Sequence, residues 1–156
     1  GYAEPDWSQN LPSTLAALRD PSFENIRVRM ARILADPARL TDEAIAIRQA
    51  LYARQETARA QEAFNREYLG MGAASRQHAV SDDMARRIAC PVLVYWGERN
   101  RTPAALGQHI ARTVADGAFH CAADTGHWAQ FESHEEHNRV VAEFLRTRLG
   151  EGRIAA

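Results

Sequence analysis

The chain has 156 residues, of which 46% are hydrophobic and 25% are charged, and its formal net charge is -1. This composition is ordinary for a soluble globular protein, and so small a charge gives no electrostatic reason to expect nucleic acid or an anionic membrane as a partner. The length suits either one domain or part of a larger one.

A cytoplasmic location is predicted. No apolar run approaches the ~20 residues that span a bilayer, and the N-terminus lacks the basic and apolar regions of a signal peptide. The two cysteines, Cys90 and Cys121, do not have the Cys/His spacing of a metal site. We therefore predict two reduced thiols that pack against neighbouring residues, and no bound metal.

Residues 12–72 have helical periodicity throughout, after an irregular start over residues 1–12. Apolar residues recur at spacings of three and four from Phe23 to Leu34, which predicts one buried helix face, and Asp36-Pro37 is expected to end that helix. Thr41 is the predicted N-cap of the next helix. A further helix over residues 56–69, broken by a glycine-rich turn, carries the apolar residues Ala63, Phe64, Tyr68 and Leu69.

Arg48 interrupts an apolar stripe on the helix that Thr41 opens. Ile45, Leu51 and Tyr52 lie on the same side of this helix. On the pattern alone, the favoured interpretation is an arginine at the edge of the stripe whose guanidinium reaches water. The alternative is a cation that faces a pocket and binds an anion.

The pattern changes after about residue 80. Residues 88–96 contain the run PVLVYW, which is typical of a strand buried on both faces of a parallel sheet. Thr102-Pro103 is predicted to cap and open a helix, and a second strand is predicted over residues 118–122.

The last predicted helix begins at a capping box of Ser133 and Glu136 and stops at Gly150. Strand, helix, strand, helix is the repeating unit of an open parallel α/β sheet. Two strands are too few to bury the faces of such a sheet, so we infer that the sheet is incomplete in this chain. The missing strands would come from an N-terminal portion, from a second chain or from self-association into a homo-oligomer.

In an open α/β sheet, the loops at the carboxyl ends of the strands carry the functional site. This rule selects the loop of residues 98–101 after the first strand and the loop of residues 124–128 after the second. His127 in the second loop could act as a general base if an acid or an amide from the first loop held its ring. A single histidine is, however, more often structural than catalytic.

The motifs PVLVYWGERN and GHWAQFESHEEHNRVVAEFL resemble the C-terminal half of an α/β-hydrolase. The resemblance is greatest to the meta-cleavage product hydrolases, which break a carbon–carbon bond in vinylogous 1,5-diketones from aromatic catabolism. The segment DPSFENIRVRMARILADPARLTDEAIAIRQ resembles the helical lid of that family. The resemblance implies a lid over residues 1–80 and the C-terminal part of the core over residues 81–156.

Position by position, the resemblance implies a catalytic role for His127 and places Trp128 beside the substrate. It also implies that Arg48 contacts the dienol-ketone or its carboxylate, which favours the anion-binding interpretation of this arginine. The family reaction is ketonisation of the dienol, attack at the ketone, and fragmentation to a dienoic acid and a carboxylic acid. Neither a cofactor nor a metal is implied.

The sequence departs from the family pattern at two points. The Gly-x-Ser-x-Gly-like nucleophile turn is absent from the 156 residues, and neither Ser75 nor Ser81 has its strand-turn-helix context. We therefore expect the nucleophile and the oxyanion hole to come from an N-terminal fragment or a second chain. Asn100 stands where the family has the aspartate that orients the histidine.

Three explanations of Asn100 stay open. The first is an inactivating change, the second is another acid such as Asp124 or Glu98, and the third is a chemistry that needs a less strongly ionised histidine. The leading hypothesis is a carbon–carbon bond hydrolase whose chain alone is inactive. The alternatives are a non-catalytic α/β-hydrolase-like binding domain and an esterase of the same superfamily.

Overall fold

The computed structural model describes residues 7–70 and 81–150. They form two compact units, one helical over residues 7–70 and one of mixed α/β structure over residues 81–150. No helix in either described range is both long enough and apolar enough to cross a membrane.

From residue 7, where the described part of the helical unit starts, the chain forms a 3-10 turn and a helix rather than the predicted irregular segment. Its elements are the 3-10 turn Trp7–Asn10, α1 (Leu11–Arg19), α2 (Phe23–Ala31), a 3-10 turn Pro37–Arg39, α3 (Asp42–Tyr52) and α4 (Gln55–Gly70). Ser22 caps α2, and Thr41 caps α3 as predicted, since its side chain accepts a hydrogen bond from the Ala44 N–H at 3.2 Å. The buried side chains of this unit include Ala17, Leu18, Ile26, Met30, Ile45 and Tyr52.

One prediction for the helical unit is wrong in detail, and the burial along α4 could not be anticipated from the pattern. Helix α2 ends at Ala31, before the predicted stop, and Asp36 instead caps the short 3-10 turn by accepting from the Ala38 N–H at 2.9 Å. On α4 the apolar Phe64 is 53% exposed, whereas Asn65 is buried and donates to the Gln61 carbonyl oxygen. The side chains of residues 68 and 69 and the turn at residues 71 and 72 lie outside the described residues.

The α/β unit is a parallel β-α-β arrangement followed by helices. Its elements are α5 (Asp82–Arg86), β1 (Val92–Gly97), α6 (Ala104–Thr113), β2 (Gly117–Ala122), α7 (Ala129–Glu132) and α8 (His134–Leu149). The two strands pair in parallel, with Val92 opposite Gly117 and Gly97 opposite Ala122. Their carboxyl ends therefore lie side by side at one edge of the sheet.

Helices α6 and α8 cover opposite faces of this sheet. Alternate strand residues point to opposite faces, and the Trp96 and Phe119 rings meet α6 at Gly107. The neighbouring Tyr95 and His120 face the start of α8, where the Tyr95 hydroxyl lies 2.9 Å from the Ser133 hydroxyl. The helices cover these faces only in part, since Val92–Trp96 are half-buried in the structure. The prediction of a strand buried on both faces is therefore wrong for this chain by itself.

Both predicted caps in the α/β unit differ in the structure. Pro103, not Thr102, is the residue before α6, and no side chain caps this helix. Ser133 precedes α8 but its side chain makes no capping hydrogen bond; its hydroxyl instead donates to the Ala129 carbonyl oxygen at 2.8 Å. Gly150 ends α8 with a positive φ of 73°, as predicted for a glycine stop.

Cys90 and Cys121 are both free thiols, as predicted, but both are exposed residues rather than packed ones. Partial burial nevertheless raises the pKa of Cys121.

Candidate active site

The two loops selected from the sequence meet at the carboxyl edge of the sheet. His127 lies after β2 and Asn100 after β1, and the His127 Nδ1 is 3.2 Å from the Asn100 Oδ1. The two residues are 27 positions apart in the sequence, and the parallel pairing of β1 and β2 brings them together. The structure therefore brings together the candidate base and the candidate orienting residue.

Asn100 is held so that its side-chain oxygen, rather than its NH₂ group, faces the ring of His127. The same Oδ1 accepts a hydrogen bond from the backbone N–H of Thr102 at 3.3 Å. A backbone N–H is always a donor, so it identifies the atom that faces it as the acceptor. The imidazole must then donate from Nδ1, which makes Nε2 the basic nitrogen of the ring.

The two acids considered as substitutes for the missing aspartate are engaged in the same loops. The Asp124 carboxylate forms an ion pair with the Arg99 guanidinium, and the Glu98 carboxylate accepts from the Asp124 N–H at 3.0 Å. Asp124 also has a positive φ of 50°, a conformation that few residues other than glycine adopt. These contacts join the loop after β1 to the loop after β2 through Glu98, Arg99 and Asp124.

Gly97 allows the two loops to approach closely. A Cβ built on Gly97 would lie 2.0 Å from the Gly126 carbonyl oxygen and 2.5 Å from that of Thr125. Both atoms are backbone, so they cannot move aside as a side chain could. The small residue at the end of β1 therefore sets the distance between the loop of Asn100 and the loop of His127.

Trp128 lies against Phe131 beside the histidine. The two rings are stacked with centroids 4.4 Å apart and an interplanar angle of 15°. This stacking fixes the orientation of the indole. The sequence analysis did not identify Phe131. Its spacing of three residues from Trp128 in the GHWAQFE motif could have indicated a contact between the two rings.

Glu132 is a second residue that the sequence analysis missed. Only 8% of its surface is exposed, and its Oε1 accepts a hydrogen bond from the Gly126 N–H at 2.9 Å. A polar residue that ends a short helix looks like a solvated side chain in the sequence. Its burial against the histidine turn becomes visible only in the fold.

Arg48 belongs to the helical unit, where it is half-buried on α3. Its guanidinium carbon lies 5.7 Å from the centroid of the Tyr52 ring, one turn along the same helix. A cation over an aromatic face is attracted by the ring quadrupole. Tyr52 is itself buried at 7% exposure, so the arginine is anchored to the core of this unit.

No protein-family model matches the chain. In the described residues, no group of three or more His, Cys, Asp or Glu side chains is arranged to hold a metal ion. Comparison with individual proteins gives a clear result in both sequence and structure.

Solved structures show the class of fold. A meta-cleavage product hydrolase variant matches with a TM-score of 0.72 and 21% identity, over 89% of this chain and 50% of that protein. The 2-hydroxy-6-oxo-6-phenylhexa-2,4-dienoate hydrolase of Rhodococcus sp. strain RHA1 matches with a TM-score of 0.67 and 22% identity, over 88% of this chain and 49% of that protein. The chain has part of an α/β-hydrolase fold, as the sequence predicted.

Curated relatives narrow the class to one family. The 2-hydroxy-6-oxo-6-phenylhexa-2,4-dienoate hydrolase of Comamonas testosteroni is 31% identical over 83% of this chain. The 2-hydroxy-6-oxononadienedioate/2-hydroxy-6-oxononatrienedioate hydrolase of Burkholderia vietnamiensis is 29% identical over 84%. The chain is homologous to the C-terminal part of the meta-cleavage product hydrolases, which confirms the resemblance seen in the sequence. It spans 44% of the length of each of these two relatives.

Proposed function

We propose that this chain forms the lid and the C-terminal core of a hydrolase that cleaves a carbon–carbon bond in a dienol-ketone acid. The observation that carries the proposal is the hydrogen bond between His127 Nδ1 and Asn100 Oδ1 at the carboxyl edge of two parallel strands. In this fold the site lies at that edge. The family of the relatives supplies the reaction class.

In this proposal His127 is the proton shuttle. Its Nε2 takes a proton from the nucleophile that attacks the ketone and returns it to the departing carbon fragment. Asn100 holds the ring in the tautomer that this transfer needs. Because an amide carries no charge, it does not stabilise the imidazolium that forms, and in a serine protease triad the corresponding exchange of aspartate for asparagine costs about four orders of magnitude in rate.

The other two site residues contact the substrate. Trp128, fixed by its stack on Phe131, forms a wall of the pocket, and Arg48 binds the carboxylate of the dienol-ketone. A guanidinium matches a carboxylate in charge and in planar hydrogen-bond geometry. Residues 1–80 serve as the lid and residues 81–156 as part of the core.

The nucleophile and the oxyanion hole of the reaction come from outside these 156 residues. No Gly-x-Ser-x-Gly turn occurs in the sequence, and the relatives are more than twice as long as the region they share with the chain. The partner is an N-terminal portion or a second chain, and homo-oligomerisation is a further route to a complete sheet. The cytoplasmic location stays a prediction.

A second candidate function is a non-catalytic binding domain that keeps the pocket. Asn100 is the observation that favours it, because the neutral amide removes the charge that a triad acid supplies. An esterase of the same superfamily is the other enzyme candidate, since His127 would serve ester hydrolysis equally well. Arg48 and Trp128 favour the carbon–carbon bond hydrolase.

The proposed function is tested by joining the chain to the N-terminal half of a related hydrolase. The chain is fused behind the preceding segment of the Comamonas testosteroni relative, with Asn100 and with Asn100→Asp, and cleavage of the dienol-ketone and of a simple ester is followed. Activity with either residue supports the enzyme, and a gain of several orders of magnitude with aspartate identifies Asn100 as an inactivating residue. Dienol-ketone binding without turnover in both forms would favour the binding domain.

His127→Ala should abolish any activity of the fused protein. The matched control is His134→Ala, which removes an exposed histidine seven residues away. An equal loss in both variants would contradict a specific role for His127. A preference for the ester over the dienol-ketone would favour the esterase.

A further inference from the structure

Glu132 is a buried carboxylate that the proposed chemistry does not use. It ends α7, and its Oε1 accepts a hydrogen bond from the Gly126 N–H at 2.9 Å. Burial of a carboxylate costs free energy unless donors face it. The donor here belongs to the residue directly before His127, so the contact acts on the turn that presents the histidine.

The Thr125–Gly126 peptide connects this carboxylate to the other loop of the site. Its N–H donates to Glu132, and its C=O accepts from the Arg99 N–H at 2.8 Å. Linked hydrogen bonds polarise and strengthen one another, and a bond to an ionised carboxylate is roughly twice as strong as a neutral one. Arg99 is the residue directly before Asn100.

The same peptide is also confined from a third direction. Gly97 packs so closely that a Cβ there would lie 2.0 Å from the Gly126 carbonyl oxygen and 2.5 Å from that of Thr125. Thr125 is buried at 1% exposure, and its hydroxyl donates to the Ala123 carbonyl oxygen at 2.7 Å. The peptide has little freedom while its hydrogen bonds hold.

We propose that Glu132 is a positioning residue of this site, whose carboxylate holds the Thr125–Gly126 peptide so that the His127 Nδ1–H meets the Asn100 Oδ1. This inference rests on the proposed role of His127, but it concerns the tautomer of the ring and needs no turnover. With the peptide held, the proton stays on Nδ1, and Nε2 carries the lone pair that acts as the base. With the peptide released, the exposed ring exchanges between both tautomers.

The experiment measures the tautomer of His127 by NMR in the full chain, labelled with ¹⁵N-histidine, at alkaline pH where imidazole is neutral. Glu132→Gln keeps an acceptor at the same reach, whereas Glu132→Asp keeps the charge but is one methylene shorter. We expect Glu132→Gln to retain the Nδ1–H tautomer and Glu132→Asp to lower its ratio to the Nε2–H form by about tenfold, as expected for the loss of one good hydrogen bond. The matched control, Glu135→Ala, removes an exposed carboxylate nearby and should change nothing.

A ratio in Glu132→Asp equal to that of the original chain would overturn the proposal, and so would an equal fall in Glu135→Ala. A measurement on the unsubstituted chain covers the case in which the aspartate variant does not fold. In that chain the hydrogen bond to Glu132 should protect the Gly126 amide proton from exchange with solvent, and an unprotected amide would also overturn the proposal. Loss of cleavage in the fused protein with the tautomer intact would instead count against the proposed function alone.

Discussion

At the scale of single residues, a side chain added at Gly97 should disturb the geometry of the site directly. In Gly97→Ala the new methyl group would meet two backbone carbonyl oxygens at 2.0 and 2.5 Å, and one of the loops would have to move. Overpacking of this kind costs about 1–3 kcal/mol. We expect a loss of that size in the free energy of unfolding, measured by urea denaturation.

Gly107→Ala is the comparison for this prediction. A Cβ at Gly107 would lie 2.8 Å from atoms of the Trp96 and Phe119 rings, which are side chains and can shift. The loss should therefore be smaller than in Gly97→Ala, and the His127 tautomer should change only in the Gly97 variant. A larger loss at Gly107 would contradict the importance of the backbone contact.

At the scale of elements, the contact of α8 with the sheet replaces the predicted capping box. Glu136 Oε1 lies 2.7 Å from His120 Nε2, and the Ser133 hydroxyl lies 2.9 Å from that of Tyr95. The His120 ring is also stacked on Tyr95 at 5.2 Å. These four side chains join the start of α8 to both strands.

Double-mutant cycles separate this arrangement from a capping box. We expect coupling of about 0.2–1 kcal/mol between Glu136 and His120, as for a partly exposed ion pair, and about 1 kcal/mol between Ser133 and Tyr95. Ser133 and Glu136 should show weaker coupling than either of these pairs, because they bind different partners and are linked only through the stack of His120 on Tyr95. Coupling between Ser133 and Glu136 alone, measured by chemical denaturation of the alanine variants, would restore the capping box.

The contact of α5 with α6 predicts a pH dependence. A hydrogen bond from the His109 ring, at 2.8 Å, holds the pKa of Asp82 below its usual value, with help from the charges of His109 and Arg86. A carboxyl whose pKa is lowered by folding stabilises the protein above its unfolded pKa, and this contribution is lost as the pH falls through the lowered folded pKa. In His109→Ala the titration midpoint of Asp82, measured by ¹³C NMR, should therefore rise toward its ordinary value.

His134→Ala is the control for the Asp82 titration, because it removes an exposed histidine from a different helix. An Asp82 midpoint that stays unchanged in His109→Ala would contradict the assigned cause of the shift.

The elements that the sequence predicted well are those decided by a few neighbouring residues. The cap at Thr41 depends on one side chain and an N–H three residues away, so the local pattern was enough. Ser133 and Glu136 also match a local capping pattern, but in the structure their side chains contact Tyr95 and His120 on the sheet instead. Contacts between residues far apart in sequence cannot be read from spacing.

In the candidate site, too, some features could be predicted from the sequence and others could not. The carboxyl edge of a parallel sheet follows from the order of strands, and this placed His127 and Asn100 together before any coordinates. The orientation of the Asn100 amide depends on the Thr102 N–H, and the burial of Glu132 depends on how α7 folds back on the turn. These details need three dimensions.

At the scale of the whole molecule, the two-stranded sheet predicts association. In the described residues, β1 and β2 pair only with each other, and Val92–Trp96 stay half-buried. An edge strand with unpaired backbone groups and accessible apolar side chains tends to pair with another chain. We therefore expect the chain by itself to exceed its monomer mass of 17.4 kDa in a concentration-dependent manner, as measured by light scattering after size exclusion.

Two controls make this prediction specific to the sheet. Cys90 and Cys121 are exposed free thiols that could cross-link chains, so the measurement is repeated with both changed to serine. High salt should leave the association unchanged or strengthen it, because the net charge of only -1 leaves apolar burial as the driving force. Addition of the N-terminal segment of a relative should replace self-association with a one-to-one complex, since the same edge cannot pair twice. A stable 17.4 kDa monomer at every concentration, indifferent to that segment, would mean that two strands suffice and that the sheet is not completed by another chain.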